Sequence, residues 1–427
     1  MAPLSTVTLH VAGELRVPGD KSISHRALIM SALAEGRSRV RGILPSADVH
    51  STAGVLRALG ADIPALDEAV EIEGLGLQGL RPPSMDLDCG NSGTSSRLLA
   101  GVVAGSGLTA RFVGDASLSR RPMRRVKTPL EAMGAAVELP AHGGLPMMVH
   151  GAQLHEIDWR SEISSAQVKS CILLAALTAG VEATVREPLR SRDHTERMLA
   201  AMGAEVWTND EAVLLFPTTR LAPLDIEVPG DPSSAAFFAA LAALARSGEL
   251  LLRHVGVNDT RTGFFAALRE MGARVELEDS TRESGEWVAN VRVGAGASLH
   301  GISIGAEAIP TLIDELPLLA TLAAYAEGET RVTGAAELRV KESDRIAAVV
   351  GNLRALGADA EELPDGFVVR GTSPSLRGRA TTHGDHRLAM AFGVIGVLPG
   401  NQVAVDDPDC VAVSYPQFWS DLERVTS

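Results

Sequence analysis

Five times in this 427-residue chain one eight-residue pattern returns, at Leu56–Ile63, Leu130–Val137, Leu199–Val206, Leu268–Val275 and Leu353–Ala360. Each copy reads Leu, two spacers, Leu or Met, Gly, Ala, a mostly charged residue and an apolar one. That order describes the last turn of a helix, a left-handed Gly just past it, and the start of a strand. Ala- and Leu-rich stretches precede the copies, at Ala27–Ala34, Leu98–Ala104, Cys171–Ala179, Ala235–Ala245 and Leu316–Tyr325. A sixth, Leu388–Leu398, precedes the C-terminal segment. Units spaced roughly 70 residues apart exceed the ~20–50 of solenoid repeats, so the chain folds as six small α/β units and not as a rod. At about 100–200 residues per domain, the length accommodates two domains of three units.

A second repeat places the boundary. Val-Pro-Gly-Asp occurs at Val17–Asp20 and again at Val228–Asp231, each time ahead of an Ala-rich stretch. The expected division is one domain of residues 18–229 and a discontinuous one of residues 1–17 plus 230–427. Hinge strands near 14–20 and 226–232 would join them, with a cleft between. The first copy continues as Lys21-Ser22-Ile23-Ser24-His25-Arg26, and the second, Pro232-Ser233-Ser234-Ala235-Ala236, carries no charge. The second copy therefore reads as mainly structural.

Composition narrows the chemistry. Net charge is −14 and aromatic content 4%, which argues against nucleic-acid binding. Three scattered cysteines, Cys89, Cys171 and Cys410, form no CxxC pair and suggest a reducing compartment. The first ten residues lack a basic start and an apolar core, and the Ala-rich stretches are shorter than the ~20 residues of a membrane span. The expectation is a soluble, cytoplasmic protein. Among 39 cationic side chains only Lys21, Lys127, Lys169 and Lys341 are lysines, so each invites a specific role.

Polar clusters recur where units begin. Asp20–Arg26 sits at a loop-to-helix junction, with helical pattern from Arg26 onward, where free N–H groups and the helix dipole favour an anion. Cys89–Arg97 repeats the theme, with Gly90 and Gly93 permitting close approach and Thr94, Ser95 and Ser96 available to cap a helix starting near Arg97. Arg120, Arg121, Arg124 and Arg125 flank Pro122, and guanidinium groups suit bidentate anion binding. Ser165 and Gln167 open the third Ala-rich helix, and Ser191–Arg197 forms a dense polar cluster. His194 and Glu196 have no partners at metal-ligand spacing. Asp314 and Glu315 interrupt an apolar run, where carboxylates are costly unless paired or functional. Arg339, Lys341, Glu342, Asp344 and Arg345 follow, then Asp385-His386-Arg387. Gly74-x-Gly76-x-x-Gly79 imitates a dinucleotide loop, but Pro82 and Pro83 prevent the helix that must follow. Fixed cations with few carboxylates among them suit a cleft enzyme acting on two small polyanions, without a nucleotide cofactor.

On these residues the chain resembles the EPSP synthase (3-phosphoshikimate 1-carboxyvinyltransferase) family. The matching stretches are PGDKSISHRAL, GNSGTSSRLL, GDASLSRRPM, SSAQVKS, SRDHTERM, IDELPLLA, LRVKESDR and DHRLAM, in the family's order across nearly the whole chain. The resemblance implies two similar domains, each of three βαβαββ units with helices packed inside, an inside-out barrel. It implies transfer of the enolpyruvyl group of phosphoenolpyruvate to the 5-hydroxyl of shikimate 3-phosphate, with phosphate released through a tetrahedral intermediate. This is a step toward chorismate and the aromatic amino acids. No metal or organic cofactor is implied, and the partners are those two small molecules, bound by a monomer. Carried over by residue, Lys21 contacts both substrates. Ser22, Arg26, Ser165, Gln167, Arg192, Asp314 and Lys341 hold shikimate 3-phosphate. Gly93, Arg121, Gln167, Arg345 and Arg387 line the phosphoenolpyruvate site, with Asn91, Thr94 and Arg97 shaping its loop. Asp314 accepts the proton of the 5-hydroxyl and Glu342 shuttles one to the vinyl carbon. Domain closure would assemble the halves and exclude water.

Three departures from the family pattern stand out. Glu337 occupies a place where Asn is frequent. Val413-Ser414-Tyr415-Pro416 lacks a late Lys that many members carry. The Ser165-Ala166-Gln167 and Arg192–Glu196 stretches resemble the branch often tolerant of the inhibitor glyphosate, whereas Gly93 leaves room for it, and sensitivity is the expectation. Two other functions compete. The sister transferase acting on UDP-N-acetylglucosamine uses a Cys-bearing loop that none of the three cysteines matches. A non-catalytic anion-binding protein on the same scaffold would not need Asp314 and Glu342.

Overall fold

The computed structural model describes residues 8–426. These divide into two compact units. One comprises the residues up to Pro18, Gly230–Thr281 and everything from Trp287 onward; the other comprises Gly19–Pro229 together with Arg282–Glu286. Each is a mixed α/β structure built from three separate sheets, none closed into a barrel.

Three sheets repeat one topology. In the Gly19–Pro229 unit, Leu87–Asp88 pairs parallel with Thr109–Val113, which pairs antiparallel with Met147–His150, which pairs antiparallel with Ala136–Glu138. Ile157–Arg160, Ala183–Arg186, Val213–Leu215 and Val206–Thr208 follow the same order. So do Ser303–Ile304, Gly328–Val332, Gly366–Gly371 and Asp359–Leu363 in the other unit. Helices link the first strand to the second and the second to the third, which makes each a βαβαββ unit.

The five repeated glycines end helices as their pattern requires. Gly60, Gly134, Gly203, Gly272 and Gly357 have φ of 96°, 108°, 88°, 103° and 105°. Strands begin within three residues of the last four. After Gly60 the expected strand is missing, and the next begins only at Ala69. Pro64 has no N–H to give a ladder. The carbonyls of Ile63 and Pro64 are instead taken by Arg57, at 2.6 Å each. That sheet is left with three strands, and the C-terminal one, Arg377–Ala380 with Gln402–Val405, has two.

Both Val-Pro-Gly-Asp copies sit where a first strand changes sheets. Gly13–Leu15 precedes the helix Lys21–Leu33 in sequence, yet it pairs parallel with Glu249–Gly256. Asp225–Glu227 precedes the helix Pro232–Leu244, yet it pairs parallel with Glu35–Arg41.

The Ala-rich stretches are the interior helices. Lys21–Leu33 is buried except at Lys21 and Ser22, Gly93–Gly105 except at Thr94, Pro232–Leu244 except at Leu244, and His386–Gly396 except at Gly396. A helix apolar all round must be enclosed, and small side chains let several share one interior. Contact between Gly93–Gly105 and Ala166–Ala179 shows how close they come. A Cβ at Gly101 would lie 2.1 Å from the Cys171 carbonyl oxygen, and one at Gly105 2.1 Å from that of Ala175. These glycines, four apart on one helical face, bring Arg97 within reach of Gln167. In the other unit Phe237, Phe238, Tyr415, Phe418 and Trp419 stack with centroids 5.0–5.9 Å apart, mostly edge to face.

Candidate active site

Helix starts carry the polar groups, and the starts lie earlier than the sequence pattern implies. The first interior helix begins at Lys21, not near Arg26, because Asp20 accepts from the N–H of Ile23 at 2.9 Å and caps it. The second begins at Gly93, capped by Ser92 through the N–H of Ser95, so Thr94, Ser95 and Ser96 lie inside the helix and do not cap it. In both cases a single local side-chain bond satisfies an orphan N–H and sets the boundary.

In the Gly19–Pro229 unit two strings of groups form. In the first, Lys21 Nζ meets Asp48 Oδ2 at 3.0 Å, and Arg192 Nη1 reaches Ser22 Oγ at 3.4 Å. Arg26 donates to the Ser22 carbonyl at 3.0 Å, to Thr195 Oγ1 at 2.7 Å and to Ser170 Oγ at 2.8 Å. Burial pulls the Arg26 guanidinium down to about 10, against the pull of Glu196 and Asp20. It is fully charged at neutral pH and poorly solvated, so a bound anion would relieve its desolvation.

The second string spans two helices. Arg97 Nη1 donates to Gln167 Oε1, and Gln167 Nε2 donates to Thr94 Oγ1 at 2.9 Å. Arg121 Nη2 donates to Asn91 Oδ1 and Asn91 Nδ2 to Asp115 Oδ2. A Cβ at Gly93 would stand 3.1 Å from Arg97 Nη1 and 3.5 Å from Arg121 Nη1. Gly93 thus leaves space beside two guanidinium groups. Ser165 serves as the cap of Ala166–Ala179, and its own N–H bonds Glu187.

Lys169 has a different place from Lys21. It is 2% exposed between Glu187 at 2.9 Å and Glu196 at 2.8 Å, whereas Lys21 keeps 16% of its side chain exposed. Burial opposes the Lys169 charge, but the two carboxylates outweigh it and raise its pKa. Its role is to neutralise them. His194 pairs with Glu286 at 2.8 Å, and Glu196 with Lys169. Among the described residues no cluster of three or more His, Cys, Asp or Glu could hold one. Among them, too, no helix is long and apolar enough to cross a membrane.

The other unit gathers carboxylates around one guanidinium. Arg345, 1% exposed, meets Asp314 at 3.2 Å, Glu342 at 2.6 Å and Asp385 at 2.8 Å. Burial works against its charge, and the three carboxylates more than offset that, raising its pKa. Lys341 lies 3.7 Å and Arg387 3.6 Å from Asp314. Desolvation, only partly opposed by Asp314 and Glu337, lowers the Lys341 ammonium from its ordinary value. Exposure separates the three acids. Asp385 is wholly buried and caps the helix of Arg387, while Asp314 keeps 12% and Glu342 21% of the side chain accessible. Those two can meet a ligand; Asp385 cannot.

Most residues singled out in the sequence fall at or near helix starts, whereas Lys127 lies inside Arg124–Ala132 with its ammonium on the Val137 carbonyl at 2.7 Å, and the partners do not show in the sequence. Asp48, Ser170 and Thr195 have no spacing that ties them to Lys21 or Arg26. Ser233 stands two residues past its Val-Pro-Gly-Asp, as Ser22 does.

Swapped first strands, interior helices and cation-rich helix starts define an enolpyruvyl transferase architecture. The enolpyruvyl transferase NikO from Streptomyces tendae shares that fold, with a TM-score of 0.76, 18% identity, and coverage of 98% of this chain and 95% of that one. An EPSP synthase structure from Acinetobacter baumannii is nearer, with a TM-score of 0.87, 40% identity, and coverage of 98% and 97%. The 3-phosphoshikimate 1-carboxyvinyltransferase of Sulfurihydrogenibium is 47% identical over 421 residues, 97% of each chain. The family model for EPSP synthase (3-phosphoshikimate 1-carboxyvinyltransferase) matches residues 6–422. The chain belongs to the EPSP synthase family and is an enzyme of that class.

Proposed function

We propose that this chain transfers the enolpyruvyl group of phosphoenolpyruvate to the 5-hydroxyl of shikimate 3-phosphate, releasing phosphate, with the residues above in the following roles. Lys21, Ser22, Arg26, Ser165, Gln167, Arg192 and Lys341 bind shikimate 3-phosphate. Lys21, Gly93, Arg121, Gln167, Arg345 and Arg387 bind phosphoenolpyruvate. Asp314 takes the proton of the 5-hydroxyl as its oxygen attacks C2 of phosphoenolpyruvate, while Glu342 delivers one to C3. The tetrahedral ketal phosphate then collapses: a proton leaves C3, the C–O bond to phosphate breaks, and the vinyl ether remains. Fixed cations offset the charge shared by the two polyanions and the intermediate.

One observation carries this reading. The only two partly accessible carboxylates of the Arg345 cluster, Asp314 and Glu342, are held by the same buried guanidinium. An acid and a base beside one rigid cation suit the two proton transfers of the addition, one from the acceptor hydroxyl and one to the vinyl carbon. The experiment is phosphate release by purified protein with phosphoenolpyruvate and either shikimate 3-phosphate or UDP-N-acetylglucosamine. Turnover is expected with the first acceptor alone. Asp314→Asn should reduce kcat by about 10²–10⁴-fold, the range of a lost general base; turnover within a few-fold of wild type would overturn the role given to Asp314, and no turnover by wild type with either acceptor would favour an anion-binding protein. We read the enzyme as a cytoplasmic monomer active without metal. Light scattering at one chain mass and an unchanged rate in chelator are the expected results.

A further inference from the structure

The second Val-Pro-Gly-Asp copy leads to an unassigned set of buried polar groups. Arg261 Nη2 meets Asp231 Oδ1 at 3.0 Å and Ser233 Oγ at 2.9 Å. Ser233 Oγ makes a short bond to Glu315 Oε1. That same oxygen stands 3.6 Å from Arg387 Nη1, and Asp314 Oδ2 stands 3.6 Å from Arg387 Nη2. Arg261, Asp231, Ser233, Glu315 and Arg387 are buried, and Asp314 stands at the partly accessible end of the string.

Donor chemistry sets the direction of this string. A guanidinium only donates, so Ser233 Oγ must accept from Arg261. Its single proton is then committed to Glu315, whose Oε1 must be an acceptor. Burial and the neighbouring Asp314 raise the Glu315 pKa, with Arg387, Arg261 and Ser233 pulling the other way. The Ser233 bond favours the ionised form. Contacts of 3.6 Å to Arg387 are ion pairs and not hydrogen bonds. They centre the guanidinium by charge and leave the N–H groups of Nη1 and Nη2 unconsumed by the two carboxylates.

We propose that Arg261, Ser233 and Glu315 are positioning residues for Arg387, a relay that fixes its guanidinium between Glu315 and Asp314 with its N–H edge presented to the anion of phosphoenolpyruvate. This rests on the assignment of Arg387 to that substrate. The second Val-Pro-Gly-Asp copy is on this view part of the catalytic apparatus, one step removed.

The test is steady-state kinetics with each substrate varied in turn, alongside thermal melting, for Ser233→Ala, Glu315→Gln and Arg387→Lys. A lost hydrogen bond to a charged group corresponds to about a tenfold or larger change in affinity. Ser233→Ala should raise KM for phosphoenolpyruvate about tenfold and Glu315→Gln by more, with KM for shikimate 3-phosphate and kcat near wild type. Arg387→Lys should raise the same KM most. If Arg387→Lys raises it while the other two do not, the relay is wrong and the assignment of Arg387 stands. If Arg387→Lys leaves it unchanged, the assignment fails and the relay with it. Equal rises in both KM values, or a lowered melting point with unaltered KM, would show a purely structural role and overturn the proposal.

Discussion

The two Val-Pro-Gly-Asp copies open helices of the same design. Asp20 caps its helix through the N–H of Ile23 at 2.9 Å, and Asp231 caps its own through that of Ser233 at 2.8 Å. Both helices are interior ones, enclosed over nearly their whole length. They differ in where their charge comes from. The first carries Lys21 and Arg26 on its own turns. The second carries no cation, and Arg261 arrives from a distant loop to pair with its capping Asp231. Identical backbone chemistry thus serves two arrangements. One presents its cation locally at a partly exposed helix start; the other buries its cation and passes the effect through Ser233 to Glu315.

The sharpest way to break this contrast is to remove the local cation. Lys21→Met is expected to lower kcat/KM about 10²–10³-fold, as for loss of one preorganised charge partner, with the melting point little changed. The matched change in the second copy, Pro232→Ala, should leave kcat/KM at the wild-type value.

Stability should show the reverse asymmetry. Asp231→Ala removes a cap and the carboxylate paired with the buried Arg261, a loss of about 3 kcal/mol. Asp20→Ala removes a cap at about 1 kcal/mol. Urea unfolding measures both, and equal losses would remove the distinction drawn for Arg261.

A third prediction concerns His25, on the first helix only. Its imidazole is buried and bonds Thr52 Oγ1 at 2.7 Å. Burial, then Lys21 and Arg26, hold its pKa well below 6.5. The folded pKa lies below the unfolded one, so its contribution is complete above that ordinary value and is lost as pH falls through it. Wild type should lose about 1.4 kcal/mol per pH unit from this one group below that point. His25→Gln should show a correspondingly shallower slope in unfolding experiments between pH 6.5 and 5.

The smallest effect tests what the two units share. Gly203 and Gly357 end equivalent helices, one per unit, at φ of 88° and 105°, and a Cβ at either meets nothing within 4 Å. Gly203→Ala and Gly357→Ala should each cost about 1 kcal/mol, from backbone strain alone. A large difference would show that the repeat is not energetically equivalent in the two units.

Much of this was legible in the chain itself. The Leu-x-x-Leu/Met-Gly-Ala pattern located five helix ends because only Gly takes a left-handed backbone without strain. The Ala-rich stretches located the interior helices because a helix without a polar face must be enclosed. Asp314 stood out because a carboxylate in an apolar run is costly unless used, Lys21 and Arg26 because a helix start favours an anion, and Glu342, Arg345 and Arg387 because polar clusters recur where units begin. What escaped was of two kinds. Helix starts were misplaced at Lys21 and Gly93, since a cap depends on one side-chain bond. The strand after Gly60 is absent where Pro64 has no N–H to give a ladder.

The sequence by itself determined the number of units, the turns that end their helices, the helices that lie inside and the types of charge at their starts. These follow from local backbone preference and hydrophobic burial, which act over a few residues. Only the tertiary structure decided which charges are partners. Asp48 for Lys21, Thr195 and Ser170 for Arg26, and Arg261 for Asp231 are 27 to 169 residues apart in sequence or come from other helices. Coulombic and hydrogen-bond choices among such groups depend on distance and desolvation in space, and no sequence spacing encodes either.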